Sequence, residues 1–474
     1  MCGICGQVSF TTDLSKYESQ FYNMQNKLYS RGPDRHGEFF SQNAVLMHRR
    51  LAVVDIEKGN QPMTYAVDGA VFTLCYNGEL YNTNEIRNTL ESRGYNFFSH
   101  SDTEVVLKAY VEYREKCVDM FNGIFAFAVW EHETRRLFVA RDRMGVKPLF
   151  YSMTKSGFVF ASEIKALLEH SEIEPVIDTR SLAEIMIIGP GRTPGCGVFK
   201  GISEIRPAHY AYYDETGLTI HRYWNVEAHE HSDSFEQTAE KVRYLVTDSI
   251  KRQLVSDVPL CTFLSGGLDS SLISSVTNGE FEKSGEVLHT FSVDYKDNEK
   301  YFKKSKFQPN SDPEFIRIME KYLGGVHHRI VIDTDELVNA LYCAVDARDL
   351  PGMADVDASM LLLCKAIKEQ GTVALSGECA DEIFGGYPWY RDKTIRSSEG
   401  FPWAQSTEYR MSFLNDEFAE KIDGSEYVYE RYKLTADSAP LYNKMNVDDM
   451  KTAQMMKLNL DWFMQTLLDR KDRM

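Results

Sequence analysis

Apolar residues recur along this chain in two different rhythms. Up to about residue 210 they come in short alternating or continuous runs, 4–10, 71–76, 123–130, 136–141 and 149–151, and each run predicts a strand. A further apolar stretch, 51–55, predicts a strand with Arg50 just ahead of it and the breaker Gly59-Asn60-Gln61-Pro62 behind. Helical spacing appears at 19–28 and starts again at about Asp102.

Beyond residue 234 the rhythm changes. A helix over 234–254, with Phe235, Ala239, Val242, Val246 and Ile250 on one face, leads into strand 258–263 and a helix from 269 to 276. Strands 287–293, 326–332 and 372–375 follow, the last preceded by a helix over 358–369. Strands alternating with helices predict an α/β doubly wound parallel sheet, with ligand loops at the strand C-termini. A final amphipathic helix carries Ala453, Met456, Leu460, Phe463, Met464 and Leu467 on one face, and with no cap after it the chain reads as stopping short of its last elements.

Two cores suit a chain of 474 residues. The stretch from 207 to 235 holds a polar strand pair around 210–223 and the charged tract 227–233, and reads as an exposed connection. The expected division is therefore a domain at 1–208, a linker at 209–234, and a second domain at 235–474. His229 and His231 in that tract read as solvated linker residues.

Composition narrows the function classes. A net charge of −17 argues against a general nucleic-acid or anionic-membrane binder, because such partners need a cationic footprint. No run approaches the ~20 apolar residues of a membrane span, and residues 1–6 lack the basic start of a signal peptide, so a cytoplasmic protein is expected. Nine cysteines are too sparse for a disulfide framework, and the Cys2/Cys5 pair has no second half for a zinc site.

Cys2 follows the initiator methionine and precedes Gly3. Once Met1 is removed, one residue carries both a thiol and a free α-amine. A cysteine of pKa ~8.5 is mostly thiol at neutral pH, and an amine of pKa ~7.7–8.0 beside it can act as general base. An α-amino acid substrate needs a cation for its carboxylate, an anion for its ammonium, and donors for the oxyanion formed on a side-chain amide. Arg50, Asp102, and the Asn77 side chain with the Gly78 N–H can fill those roles. Each also has a simpler reading: a surface ion pair for Arg50, a hairpin turn for Asn77-Gly78, a helix N-cap for Asp102, and a plain strand start for Cys2.

Leu264-Ser265-Gly266-Gly267-Leu268-Asp269-Ser270-Ser271 lies between a strand and a helix start. Adjacent glycines let backbone close around an anion, and a helix N-terminus turns N–H groups to the same point, so a phosphate fits. No Walker lysine follows, and the turn resembles the pyrophosphate loop of ATPases that release AMP. Its simpler reading is a strand-to-helix connector. After strand 372–375, Glu378, Asp381 and Glu382 put three carboxylates in five positions, a crowding that two Mg²⁺ ions bridging ATP phosphates would relieve.

Taken together, Cys2-Gly-Ile, Arg31-Gly-Pro-Asp, Arg50-Leu-x-x-x-Asp, Asn77-Gly-Glu-x-Tyr-Asn, Ser101-Asp-Thr-Glu, Asn122-Gly-Ile-Phe-Ala-Phe and Arg141-Asp-Arg-Met-Gly-x-Lys-Pro-Leu resemble the class II glutamine amidotransferase domain. That resemblance implies an N-terminal-nucleophile fold, a four-layer αββα sandwich. It also implies glutamine hydrolysis at Cys2, with Arg50, Asn77, Gly78, Glu79 and Asp102 around the substrate. Joined to Ser265-Gly-Gly-Leu-Asp-Ser-Ser and Ser376-Gly-Glu-x-x-Asp-Glu-x-Phe-Gly-Gly-Tyr, the whole resembles the glutamine-hydrolysing asparagine synthetases. By that resemblance Ser265, Gly266, Gly267 and Ser270 hold pyrophosphate, and Asp269 and Asp381 bind Mg²⁺. Leu264, Val293, Ser376 and Gly377 border ATP, and Glu378 manages charge or a proton at the acyl centre.

The implied partners are glutamine, aspartate and ATP, with a homodimer as the implied assembly. Two departures stand out. Residues 349–357 read Asp-Leu-Pro-Gly-Met-Ala-Asp-Val-Asp where the family usually shows a Thr-Thr-x-Arg-like segment, which leaves the acyl substrate open between aspartate and another carboxylic acid. The family's Glu-x-Arg-x-Pro-Phe segment and later catalytic lysine also do not appear. A ligase resembling β-lactam synthetase, or a truncated scaffold that binds nucleotide without turnover, are the competing readings.

Overall fold

The computed structural model describes residues 1–303, 312–404 and 406–474. It resolves into two compact units: Met1–Val226 with Thr407–Tyr427 and Arg473, and Glu227–Ser406 with Val428–Asp472 and Met474.

The first unit is built from short strands in chain order. They are β1 (Gly3–Val8), β2 (Arg35–Phe40), β3 (Ala44–Arg50), β4 (Met63–Val67), β5 (Ala70–Leu80) and β6 (Gly123–Glu131). After them come β7 (Arg136–Arg141), β8 (Phe150–Thr154), β9 (Gly157–Ala161), β10 (Ile202–Glu204), β11 (His209–Asp214) and β12 (Gly217–Arg222). They form two six-stranded sheets, ordered β10-β8-β9-β1-β3-β2 and β12-β11-β7-β6-β5-β4. Every pairing within both sheets is antiparallel.

Ile4, Val8, Leu46, Cys75, Ala126, Ala128, Phe158 and Phe160 form a buried core drawn from both sheets, which packs them face to face. The other face of the second sheet packs Leu74, Tyr76, Phe125 and Phe127 against Ile86, Leu90, Val106 and Tyr110 of helices Thr83–Ser92 and Asp102–Tyr113. Helix Glu18–Lys27 packs on the first sheet through buried Phe21 and Met24. The result is the αββα sandwich.

Two sequence expectations change here. Residues 51–55 are not a strand: β3 ends at Arg50, whose guanidinium takes the carbonyls of Val54 (3.1 Å), Asp55 (2.6 Å) and Ile56 (3.0 Å), so the chain curls around it instead of pairing sideways. Residues 209–222, expected in the linker, form the outer hairpin of the second sheet, with Tyr210 paired to Ala140 and Tyr213 to Leu137. Tyr210 and Tyr212 supply the rings that make this hairpin pack on Phe138, at centroid distances of 5.4 and 5.0 Å.

The second unit carries a four-stranded sheet of β13 (Leu260–Phe263), β14 (His289–Tyr295), β15 (Val326–Ile332) and β16 (Val373–Leu375), ordered β15-β14-β13-β16. All its pairings are parallel. Cys261, Phe291, Leu363 and Ile367 form the core beneath it. The strand order reverses at β13, so the loops leaving β13 and β16 open toward one crevice, where an open α/β sheet receives its ligand.

Helix Phe235–Arg252 starts where expected and is closed by a capping box between Ser234 and Gln237. Its predicted apolar face is not buried, however: Phe235 is 83% exposed and only Ile250 is buried, because its contacts are with helix Leu268–Ser284 at one end. The C-terminal helix is interrupted by a π turn, Asn459–Phe463. Of the predicted face Met464 and Leu467 are buried, together with Met455, Leu458 and Trp462, while Ala453, Met456, Leu460 and Phe463 are half-buried. No helix among the described residues is long and apolar enough to cross a membrane.

Candidate active sites

In the first unit, one cavity of about 50 Å³ is lined by Met1, Cys2, Arg50, Asn77, Gly78, Glu79 and Asp102, together with Gln61 and Tyr76. The sandwich explains the convergence. Cys2 stands at the start of β1, Arg50 at the end of the neighbouring β3, Asn77–Glu79 toward the end of β5, and Asp102 in the first turn of its helix. None of the simpler readings for the β5 and helix residues holds. Asn77 and Gly78 lie inside a strand, paired with Ala126 and Phe125, and Ser101, not Asp102, is the N-cap, accepting from the Thr103 N–H. A Cβ on Gly78 would sit 2.3 Å from the Ile124 carbonyl oxygen, so only glycine fits beside β6.

The carbonyl of Cys2 is held from two sides. Arg31 Nε donates to it at 2.7 Å, and the Asn77 amide donates to it at 3.1 Å while accepting from Arg31 at 3.3 Å. Arg31 is itself anchored by Glu163 at 3.1 Å, both side chains being almost fully buried. In the sequence Arg31 stands only within the Arg31-Gly-Pro-Asp motif, with no role of its own, and nothing in its spacing connects it to residue 2. Tyr76 is a second residue that periodicity missed: its hydroxyl donates to Asp102 at 2.9 Å, fixing the carboxylate together with the Leu80 N–H at 3.1 Å. Gln61 accepts from the Tyr76 N–H at 2.6 Å and donates to Thr103 at 3.2 Å, bracing the same wall.

The electrostatics suit a charged substrate. Burial pushes the Cys2 thiol up, and the N-terminal amine with the Arg50 and Arg31 guanidinium groups pulls it back. Burial also raises the carboxyls of Asp102 and Glu79, the first opposed by its bonds from Tyr76 and Leu80, the second by Lys147. Two desolvated carboxyls facing a cavity favour a bound ammonium. Arg50 is only 4% exposed, and Gly59 packs so closely that a Cβ there would lie 2.4 Å from Arg50 Nη2.

In the second unit, Gly266 takes a φ of +77°, and a Cβ there would meet Phe315 at 2.7 Å and the Ile316 nitrogen at 2.8 Å. Helix Leu268–Ser284 begins after Gly267 with no side-chain cap, leaving its first N–H groups facing the loop. Ser270 Oγ accepts from the Ser265 N–H at 3.1 Å and lies 2.9 Å from Ser265 Oγ, which shapes the turn before any ligand arrives. Gly377, after β16, touches this turn: a Cβ would fall 2.8 Å from Asp269 Cβ. Ser376 Oγ accepts from the Glu378 N–H at 3.2 Å. The side chains of Leu264 and Val293 are turned into the core, Leu264 with Ile316 and Leu323, Val293 with Cys261 and Phe291, so only their backbone is placed to border a nucleotide.

The acidic residues crowd one another. Burial raises the Asp269 carboxyl and the charge of Asp381 raises it further; Glu382 is raised by burial and by both aspartates. Among the described residues no group of three or more His, Cys, Asp or Glu side chains is arranged to hold a metal by itself. Hard oxygen donors in mutual repulsion fit Mg²⁺ completed by phosphate oxygens, so Asp269 and Asp381 suit that ion. Glu378 pairs with Arg470 and, at 3.3 Å, with Lys471. Lys471 lies 3.9 Å from the Phe263 ring centre, and its burial lowers the ammonium to about 7. In the segment at 349–357, Asp357 accepts from Arg348 and from the Met353 N–H, each at 2.8 Å.

Comparison with known proteins agrees with this division. The glutamine amidotransferase domain family matches residues 1–224, and the asparagine synthase family matches 241–474. Asparagine synthetase [glutamine-hydrolyzing] 3 of Bacillus subtilis is 51% identical over 100% of this chain and 77% of its own length. Asparagine synthetase [glutamine-hydrolyzing] 1 of the same organism is 33% identical over 83% of this chain and 60% of its own. Asparagine synthetase B [glutamine-hydrolyzing] of Escherichia coli is 30% identical over 82% of this chain and 65% of its own.

Proposed function

The chain belongs to the family of glutamine-hydrolysing asparagine synthetases, and from that membership we propose that it makes asparagine from aspartate and ATP with ammonia released from glutamine at Cys2. The observation that carries the glutaminase half is the convergence of Cys2, Arg50, Asn77, Gly78, Glu79 and Asp102 on one cavity. With Met1 removed, the Cys2 amine takes the thiol proton and the sulfur attacks the side-chain amide carbon of glutamine. Arg50 receives the substrate carboxylate, and Asp102 with Glu79 its ammonium. The Asn77 amide and the Gly78 N–H receive the oxyanion. The C–N bond breaks, ammonia leaves with the proton held by the amine, and water then cleaves the thioester to glutamate.

In the second unit a carboxylate must be made reactive toward ammonia. The aspartate side-chain oxygen attacks the α-phosphorus of ATP, pyrophosphate departs, and ammonia displaces AMP from the acyl carbon. The 265–267 turn and Ser270 hold the pyrophosphate, and Asp269 and Asp381 are the residues to hold Mg²⁺, which when bound neutralises phosphate charge. Glu378 takes the proton lost by the attacking ammonia.

A second acyl substrate is favoured by one observation. Residues 349–357 commit Asp357 to Arg348 and Met353 where a substrate-binding Thr-Thr-x-Arg-like segment is usual. Pyrophosphate release with glutamine, ATP and a panel of carboxylic acids decides between them, aspartate being the expected substrate. In the same assay Cys2→Ala is expected to abolish glutamine-dependent product and leave ammonia-dependent product within about twofold. Equal loss of both activities would overturn the two-site scheme.

A further inference from the structure

Lys147 has no part in the scheme above, yet its side chain is 0% exposed. It ends the turn after β7, which is held by the side chains of Asp142 and Arg141 bonding to backbone groups. Asp142 accepts from the N–H groups of Met144 (3.1 Å), Val146 (3.0 Å) and Lys147 (3.0 Å), while Arg141 Nε donates to the Lys147 carbonyl at 2.7 Å. An ammonium costs free energy to bury, and the turn does not need one. Its Nζ lies 2.9 Å from Met1 Sδ, against the residue whose removal exposes the Cys2 α-amine. Glu79 faces both Lys147 and the present N-terminal amine.

We propose that Lys147 is a positioning residue for glutamine hydrolysis: its buried ammonium, beside the amine that Met1 removal exposes, disfavours a second positive charge and keeps that amine neutral, ready to take the thiol proton. The inference rests on the reading of Cys2 as nucleophile. Other charged groups around this N-terminus are the carboxyls of Glu79 and Asp102 and the guanidinium groups of Arg31 and Arg50. The two carboxyls oppose Lys147 before substrate binds, and the ammonium of bound glutamine takes up their charge, so the effect is strongest in the substrate complex. A neighbouring cation lowers an amine's pKa, which sets the acid limb of kcat at lower pH; removing the cation moves that limb upward.

The test is kcat for glutamine hydrolysis against pH in the processed enzyme, in Lys147→Met and in Lys147→Arg. The methionine variant is expected to shift the acid limb up by about one pH unit, and the arginine variant to stay near the parent. A slower enzyme with an unmoved limb, or equal shifts in both variants, overturns the proposal. A second measurement keeps Lys147 in place: the pH dependence of N-terminal acylation in Cys2→Ser gives the amine pKa directly. A value below the ordinary ~7.7–8.0 is expected, and one at or above that range overturns it. If the processed parent hydrolyses no glutamine, the Cys2 reading fails on its own account, and the acylation curve still decides the role of Lys147.

Discussion

Arg50 carries a cost that its neighbours share. To keep a guanidinium buried at the end of β3, residues 54–56 lend their carbonyls and residue 59 must have no side chain. Gly59→Ala places a methyl group 2.4 Å from Arg50 Nη2, so the guanidinium or the loop must shift. Glutaminase kinetics should show a KM for glutamine raised about tenfold or more, equivalent to ~1.4 kcal/mol, with ammonia-dependent synthesis unchanged. An unaltered KM would mean that Arg50 does not hold the substrate. Cys2, Asn77 and Asp102, each with an ordinary reading when taken singly, were legible as candidates because their motifs in this order resemble the class II glutamine amidotransferase domain. Arg31 and Tyr76 were not, since their function lies in contacts made across 29 and 26 positions, to Cys2 and Asp102, which no local pattern encodes.

Elements rather than single residues make the proposed nucleotide site. The loop after β13 and the loop after β16 meet because parallel pairing sets Leu260 beside Val373 and Thr262 beside Leu375, so both strands end at the same edge. Gly377 is the point of contact. Gly377→Ala would press a Cβ 2.8 Å from Asp269 Cβ and 3.0 Å from the Ser270 nitrogen. Overpacking of ~1–3 kcal/mol at that junction should cut pyrophosphate release at least about tenfold while glutamine hydrolysis stays within about twofold. Parallel loss of both rates would argue for general unfolding instead. Helix Phe235–Arg252 illustrates the reverse case, an element whose start follows from Ser234 and Gln237 although its apolar spacing misjudged which face is covered. Removing the cap with Ser234→Ala should destabilise the helix start by about 1 kcal/mol, read as faster amide exchange over its first turn.

The fold of the amidotransferase unit as a whole should be acid-sensitive through a residue that performs no chemistry. His48 in β3 is buried with its Nε2 3.1 Å from the Tyr76 carbonyl and its Nδ1 without a hydrogen-bond partner, and burial lowers its pKa to about 3. An unfolded histidine takes a proton below about 6.5, so between 6.5 and 3 the unfolded chain binds more protons and stability falls as pH falls. The loss is up to ~1.4 kcal/mol per pH unit from this one group. The unfolding temperature of His48→Gln should therefore drop less steeply between those limits than that of the parent; identical slopes would remove His48 as the cause. The alternation of strands and helices, the glycine turn and the order of the motifs were set by the chain itself, because they depend on residue type, period 2 or 3.6, and short spacing. Tertiary structure alone decided that 51–55 wraps a guanidinium instead of pairing, that 209–222 completes a sheet, and that a buried lysine lies against the first residue. Each of those outcomes depends on which distant groups must be satisfied once water is excluded, and local sequence holds no record of that.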